Sequence, residues 1–345
     1  MTRITAGAVS VISQAIAFKS PLYKGGDFMA YGRQFEITVN CTDGETIHIT
    51  DVDVDFSSVR DDEKEPNEAD LTLWGLTPQT QNAIAQAGST VSVAAGYIDE
   101  GMFTLFQGEL ISAVTIKPNE VYGLKMKIYE ALIPFRASVT SRTFRKGQSL
   151  KDAVLQVASD MGLGCQFSKS ASSLTLAKSV SAAALSRDVL TSLCKPVNAN
   201  WSLQYQSIIV TAGDSILTGA AVFSPETGLL GAPLLKIHSP KRTKKKNPSE
   251  KEQIQKKHDK SITTYVWPPK GSQVDYSKGA RRQMGVIEAV TWESLLYGGV
   301  EIGEQVELSS PSMGEGWMVI VKKISHRFST RDRQAWSSSW EGIIA

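Results

Sequence analysis

The fold assignment depends on residues 69–78, Ala-Asp-Leu-Thr-Leu-Trp-Gly-Leu-Thr-Pro. Leu71 and Leu73 alternate with polar residues, which predicts a β-strand with one buried face. Thr77 and Pro78 suit a helix start, because Thr caps the first turn and Pro lacks an N–H that would be unpaired there. The stretch therefore predicts a strand that leads through a turn into a short helix.

The sequence on both sides of this stretch also predicts strands. Asp43 and Gly44 separate two apolar runs as a hairpin turn would, and the charged residues 60–68 are predicted to form a loop. Strands are predicted at 34–40, 47–49, 52–56, 91–97, 103–117 and 124–131, and the short helix from Thr77 to about Ala87, before Gly88. So many strands around one short helix favour a twisted sandwich or a barrel.

The middle of the chain, from about residue 140 to 212, has a different pattern. Ser149 to Asp152 form a capping box, apolar residues follow at helical spacing, and Gly162 ends the predicted helix. A second helix is predicted from Ala182 to Cys194, before Pro196. Strands are predicted at 201–206 and 208–211. This part is therefore predicted to be a small α+β module.

Strands are predicted again near the end of the chain, after a strongly basic tract. They lie at 286–290, 305–308, 317–324 and 336–340. The tract, residues 236–260, holds ten basic and three acidic residues, a net charge of +7. With few apolar residues to bury, it is predicted to be a solvated loop. Its candidate electrostatic contacts are Lys241, Arg242, Lys244, Lys245, Lys246, Lys256 and Lys257.

Length and charge exclude several classes of protein. The chain has 345 residues, which suggests two or three domains. Its 37 basic and 35 acidic residues give a net charge of +2, which argues against a protein that binds nucleic acid over its whole surface. Since the basic tract contributes +7, the other 320 residues sum to −5. No stretch approaches the length of about 18 apolar residues that a membrane span needs.

The sequence offers no convincing catalytic, metal or cofactor site. Asp51, Asp53 and Asp55 have the first spacings of a calcium loop, but Phe56 stands where that loop needs glycine. The four histidines lack metal-ligand spacing, and neither a nucleophile elbow nor a nucleotide-binding glycine loop is present. The three cysteines lack C-x-x-C spacing. The protein is therefore predicted to be neither an enzyme nor a metalloprotein, and to use no cofactor.

The order of these features resembles the baseplate hub proteins of long-tailed bacteriophages, especially contractile, Mu-like ones. The resemblance covers nearly the whole chain. Its segments are ADLTLWGLT (69–77), VSVAAGY (91–97), FQGEL (106–110), FRKGQSL (144–150), FSPETGLLGAP (223–233) and SLLYGGVEIGEQVEL (294–308). The basic tract after Pro233 is longer than the resemblance leads us to expect.

The resemblance implies a mainly β chain in which two tail-tube-like β-barrel domains flank a small α+β module. The domains would be residues 1–135, 136–215 and 216–345, the last carrying the basic loop 236–260. It implies a homotrimer that joins a hexameric tail tube to a trimeric central spike and lines the channel for DNA ejection. A tape-measure protein is a further candidate partner. The implied location is the virion tail baseplate, assembled in the cytoplasm of the host bacterium.

Two alternatives come from the residues themselves. Trp292, Trp317, Trp336 and Trp340 could make a cell-envelope hydrolase or a glycan-binding protein. The basic tract could instead make a nucleic-acid-binding protein, although it lacks aromatic residues that stack on bases. In a channel that lets DNA pass, a basic lining would retain phosphate. We therefore predict that the tract lies mostly outside the channel lumen or is disordered, and that DNA passes without specific binding.

Overall fold

The structure, a computed structural model, describes residues 32–86, 88–118, 121–213, 218–238, 264–265, 286–311, 316–332 and 336–345. Most of the chain forms β-strands, and the helices are concentrated in its middle third. This confirms the predicted fold class of a mainly β chain with an α+β insert.

The first β-domain follows the alternation in the sequence closely. Its elements are β1 (Arg33–Asn40), β2 (Thr46–Ile49), β3 (Asp53–Asp61), β4 (Glu68–Trp74), α1 (Pro78–Ile84), β5 (Thr90–Tyr97), β6 (Gly101–Ile116) and β7 (Gly123–Tyr129). β1 and β2 form the predicted hairpin, with Gly44 in the left-handed region at φ 91°. Thr77 caps α1, as predicted, by accepting a hydrogen bond from the Thr80 N–H. α1 is shorter than predicted.

One prediction in this domain is correct only in part. The charged residues 60–68 are predicted to form a loop, and residues 62–67 do connect two strands, but β3 continues through Asp61 and β4 begins at Glu68. Arg60 therefore lies inside a strand, and its side chain is buried. The alternation that buries Val54 and Phe56 places Arg60 on the same inward face.

The α+β module has its own small sheets and helices. Its elements are α2 (Leu132–Ala137), β8 (Val139–Phe144), α3 (Leu150–Met161), β9 (Gly164–Phe167), α4 (Lys169–Ser172), β10 (Val180–Leu185), α5 (Ser186–Cys194), a 3-10 turn (Lys195–Val197), β11 (Asn200–Gln204) and β12 (Ser207–Thr211). The predicted start of the second helix at Ala182 is wrong, because residues 180–185 pair with β8 as β10. Tertiary pairing overrides the helix propensity of the alanines there.

The last third of the chain forms the second β-domain. Its elements are β13 (Thr218–Phe223), a 3-10 turn (Pro225–Thr227), β14 (Leu229–His238), β15 (Thr264–Tyr265), β16 (Val286–Leu295), β17 (Gln305–Leu308), β18 (Trp317–Ser329) and β19 (Trp336–Ile344). β18 and β19 are longer than predicted from the apolar runs.

The two β-domains share one continuous sheet. β3 of the first domain pairs antiparallel with β18 of the second, from Asp61↔Lys323 to Asp55↔Ser329. The main path of the sheet is β15-β14-β16-β19-β18-β3-β4-β7-β6-β5-β1-β2, and β17 joins β13 to β18 at its side. The module lies outside this path, with its strands in two separate sheets.

Three hydrophobic cores lie behind these elements. One fills the first β-domain, one fills the module, and one fills the second β-domain. Phe328 and Trp336 belong to the last third of the chain but pack in the first core, where the Phe328 ring lies 5.0 Å from Phe56. Because both β-domains use the same sheet and the last third of the chain contributes residues to the first core, we expect the two domains to behave as one rigid body.

The predicted cap of α3 supplies a modest stability test. Ser149 Oγ accepts a hydrogen bond from the Asp152 N–H, and Gly162 ends the helix at φ 69°, both as predicted. Ser149→Ala should destabilise the fold by about 1 kcal/mol, since it leaves a helix N–H without its cap. We expect a melting temperature roughly 2–4 °C lower by calorimetry. The exposed strand variant Ser141→Ala is the control, and an equal melting temperature for the two variants would contradict the prediction.

Candidate functional site: an outer sheet face and a buried ionic junction

The sheet shared by the two β-domains has one face turned away from the cores. In β3, Val54, Phe56 and Ser58 are buried, whereas Ser57 and Val59 are exposed. The neighbouring strands β16, β19, β18, β4 and β7 alternate in the same way. We call the side chains of these six strands that point away from the cores the outer face.

Cross-strand register places small polar and charged residues in rows along the outer face. One row runs Ser339–Ser325–Val59–Glu68–Tyr129 across β19, β18, β3, β4 and β7. The next row runs Ser337–Arg327–Ser57–Asp70–Lys127. These rows cross from one β-domain into the other without a break, so the outer face is a single polar surface.

The outer face carries more negative than positive charge. Among its described side chains are seven carboxylates and four cations, a net charge of −3. The carboxylates are Asp53, Asp55, Asp61, Glu68, Asp70, Glu293 and Glu341, and the cations are Lys125, Lys127, Lys323 and Arg327.

Two of these cations are balanced by carboxylates of neighbouring strands. Lys127 Nζ lies 3.1 Å from Glu68 Oε2, and the hydrogen bond to Glu68 raises the pKa of Lys127. Hydrogen bonds from Tyr129 and Lys127 in turn lower the pKa of Glu68. Lys323 lies in register between Asp61 and Glu341. The outer face therefore presents balanced charge around these cations rather than free cations.

A buried ionic junction lies behind this face, where the three parts of the chain meet. Arg60 of β3 is at its centre, and its side chain is 1% exposed. Its guanidinium donates to Tyr205 Oη at 2.6 Å, to Gln204 Oε1 at 3.0 Å and to Glu301 Oε2 at 3.0 Å. Its Nε lies 3.4 Å from Glu130 Oε1. One cation thus bridges the first β-domain, the module and the second β-domain.

Glu130 is the other fully buried charge of the junction. Its carboxylate accepts a hydrogen bond from Asn67 Nδ2 at 2.8 Å. Burial raises the pKa of Glu130, and Arg60 opposes that shift by favouring the ionised carboxylate. Burial alone would lower the pKa of Arg60, but Tyr205, Glu301 and Glu130 together raise it. Arg60 and Glu130 therefore depend on each other for charge compensation.

A polar seam continues from this junction between the cores of the two β-domains. His326 lies opposite Ser58 and opposite Ser338, and its Nδ1 is 2.9 Å from Ser338 Oγ. Burial, and secondarily the nearby Arg60, lowers the pKa of His326 to about 3. His326 is therefore neutral at physiological pH, as a buried imidazole beside a guanidinium must be.

The structure gives no support to a calcium site at the aspartates of β3 or to catalysis by His326. Asp53 and Asp55 accept hydrogen bonds from Thr330, Ser329 and Trp74 rather than converging on a cation site. No cluster of three or more metal-ligating side chains occurs among the described residues. His326 faces Ser338 in the interior, whereas Asp332 is 4.0 Å from the exposed Arg327, so the two do not form a catalytic pair.

The structure tests the prediction about the tryptophans but not the prediction about the basic tract. Trp292, Trp336 and Trp340 are buried in the cores, with Trp292 stacked on Trp340 at 6.1 Å, so they offer no platform for a sugar ring. Trp317 is partly buried against the core of the second β-domain. Lys241, Arg242, Lys244, Lys245, Lys246, Lys256 and Lys257 all lie outside the described residues. No helix within the described parts of the chain is long and apolar enough to cross a membrane.

No pattern in the sequence predicts the ionic junction directly. Extending the alternation of β3 by two positions would have placed Arg60 on the buried face, and a buried arginine needs buried partners. Glu130, Tyr205 and Glu301 carry no comparable signal, because they come from distant parts of the chain.

Comparisons with known proteins agree at the level of fold. Neither a protein-family model nor a curated protein matches the sequence. A tail protein from Neisseria meningitidis MC58 has 11% sequence identity and a TM-score of 0.58, over 90% of this chain and 96% of that one. A 43 kDa tail protein of prophage MuSo2 from Shewanella oneidensis has 13% identity and a TM-score of 0.58, over 89% and 96%.

A third similar structure comes from a secretion machine. It is an E. coli component of the type VI secretion system, described as structurally similar to the phage T4 tail proteins gp27 and gp5. It has 10% identity and a TM-score of 0.50, over 85% of this chain and 74% of that one. At such identities the likeness concerns the fold, and the chain shares the fold of these phage tail proteins over about nine tenths of its length.

Proposed function

We propose that this protein is the structural hub of a phage-type tail baseplate, located in the virion and assembled in the host cytoplasm. The observation that carries the proposal is the outer face, a polar surface that runs unbroken across two β-domains of one sheet. The shared fold with phage tail proteins supports it. The role is structural, without catalysis, metal or cofactor.

The proposed oligomer is a homotrimer. Two β-domains per chain in three chains give six similar positions, which would match a hexameric tail tube on one side. The threefold symmetry of the chains would match a trimeric central spike on the other. In this proposal the domains are residues 1–135, 136–215 and 216–345, and a tape-measure protein is a further partner.

The outer face suits a wall along which DNA passes. Protein cations bind DNA by displacing the counterions of its phosphates, so free lysines and arginines would hold the duplex. Here Lys127 and Lys323 are flanked by carboxylates, and serines fill much of the remaining surface. The wall would let DNA pass without specific binding, and the basic tract 236–260 would act outside the lumen.

The particle itself tests the hub assignment. We expect purified protein to have the mass of a trimer in sedimentation equilibrium, and electron microscopy of virions to show it at the end of the tail with the outer face toward the channel. A monomer at high concentration that is also absent from virions would defeat the hub proposal.

A charge reversal on the outer face tests the channel wall. The pair Glu68→Lys and Asp70→Lys removes two negative charges from adjacent rows and adds two positive ones, which changes the net charge by +4. We expect normal particles with DNA delivery reduced on the order of tenfold, because new cations retain phosphate. The same charge change at two residues away from the face, Asp99→Lys with Asp188→Lys, is the control. Equal delivery by the two variants would contradict the proposed wall.

A further inference from the structure

The hairpin of β11 and β12 is the part of the module that reaches the ionic junction. Its strands pair from Asn200↔Thr211 to Gln204↔Ser207, leaving Tyr205 and Gln206 as a two-residue turn. The strands of the hairpin bury Trp201, Leu203, Ile208 and Val210 in the module core, which has no members from either β-domain. Only the tip of the hairpin reaches beyond that core, so the tip is the contact considered below.

The hairpin tip makes hydrogen bonds to several places on the first β-domain. Gln204 Nε2 donates to the Asp61 carbonyl at 2.6 Å, and Tyr205 Oη donates to the Thr104 carbonyl at 3.0 Å. Asn67 Nδ2 donates to the Leu203 carbonyl at 2.9 Å. The tip can form these bonds only when it lies against the first β-domain, so the bonds stabilise that docked position.

The local backbone of the hairpin opposes the same position. Tyr205 and Gln206 have φ values of 43° and 59°, in the left-handed region that residues with side chains seldom adopt. A turn of this kind normally uses Asn-Gly. The β11–β12 pairing and the docking contacts together hold this turn, so loss of the docking contacts should make the turn open more often.

Arg60 connects this turn to the last third of the chain. The guanidinium carbon of Arg60 lies 3.7 Å from the centre of the Tyr205 ring. One terminal nitrogen of Arg60 donates to both Gln204 and Glu301, and Glu301 belongs to the loop before β17 in the second β-domain. Glu301 therefore fixes the orientation of the donor group that the hairpin tip needs.

We propose that the tip of the β11–β12 hairpin, Gln204 to Gln206, is a latch whose docking depends on Glu301, so that the last third of the chain controls docking of the α+β module. The device works through one shared cation: Glu301 orients Arg60, and Arg60 holds Gln204 and Tyr205 in the otherwise unfavourable turn. Because domains generally fold in order from the N-terminus during synthesis, the latch would close last, after the second β-domain is in place. This inference goes beyond the proposed hub function and does not depend on it.

Hydrogen exchange of the full-length protein tests the latch. In Glu301→Ala, amide exchange in residues 202–207 should become about tenfold faster or more, since a hydrogen bond to a charged group is lost. Exchange in α3 and α5 of the module should stay at the wild-type rate. Glu307→Ala, which removes an exposed carboxylate from the same β-domain, is the matched control and should leave the hairpin unchanged.

Three results for the Glu301→Ala and Tyr205→Phe variants would contradict the proposed latch. Wild-type exchange in the hairpin of Glu301→Ala would show that Glu301 does not control docking. Equally faster exchange throughout the chain would show that Glu301 serves general stability instead. Tyr205→Phe keeps the ring on Arg60 but removes the hydroxyl that Arg60 and Thr104 share. Its hairpin should also exchange faster, and a wild-type rate there would likewise contradict the latch.

Discussion

Replacing Arg60 with methionine should destabilise the protein by about 3–5 kcal/mol, the typical result of removing one partner of a buried ion pair. Arg60 is 1% exposed and Glu130 is fully buried, so the substitution leaves the Glu130 carboxylate without its compensating cation. Methionine retains most of the unbranched stem, which limits the loss of packing. The expected effect therefore comes mainly from the unpaired charge.

The measurement is thermal unfolding of the purified full-length chain. A loss of this size corresponds to a melting temperature roughly 6–20 °C lower for a domain of 150 or more residues. Arg327→Met is the control, because Arg327 is an exposed arginine on β18, a strand paired with β3. Its substitution should change stability by no more than about 0.5 kcal/mol.

A second substitution tests whether the loss of stability in Arg60→Met comes from the unpaired charge of Glu130 or from the altered packing at position 60. Adding Glu130→Gln to Arg60→Met removes the orphaned carboxylate while keeping an oxygen that can accept from Asn67. We expect the double variant to regain about 1–3 kcal/mol relative to Arg60→Met, a non-additivity typical of contacting residues. If Arg60→Met unfolds like wild type, or if Glu130→Gln only worsens it, the ion pair is not what stabilises the junction.

The sequence predicted elements well where one periodicity dominated locally. Strict alternation in residues 91–97 and the Ser149 cap with Gly162 led to β5 and α3 at nearly their observed bounds. The resemblance to phage tail proteins, read from short segments, agrees with the fold that the structures share. These signals are local, so they can be read without knowing which strands become neighbours.

The functional surfaces depend on pairings that no local pattern specifies. The outer face exists because β3 pairs with β18, which begins more than 250 residues later in the chain. The ionic junction likewise needs Arg60, Glu130, Tyr205 and Glu301 to meet in space. The sequence pattern predicts a loop at Arg60 because arginine is seldom buried without partners. Those partners lie in distant parts of the chain, so the local sequence does not reveal them.

His326 should make the folded protein sensitive to mild acid. Its imidazole is enclosed by Ser58 of β3, Ser338 and Trp340 of β19, and it lies near the permanently charged Arg60. Burial and Arg60 lower its pKa from 6.5 to about 3. Between these two values the unfolded chain binds a proton that the folded chain does not. Stability contributed by this group is therefore complete above pH 6.5 and is lost as the pH falls, by roughly 1.4 kcal/mol per pH unit.

The difference between wild type and His326→Gln isolates this contribution from that of the carboxylates. Glutamine can still bond to Ser338 but does not titrate, so wild type should lose about 2 kcal/mol more than the variant between pH 7 and pH 5 in urea unfolding. Parallel pH profiles for wild type and His326→Gln would mean that the imidazole takes up its proton in the folded state. The polar seam between the two β-domains would then have to admit water or a counter-charge as the pH falls, contrary to the packing around His326.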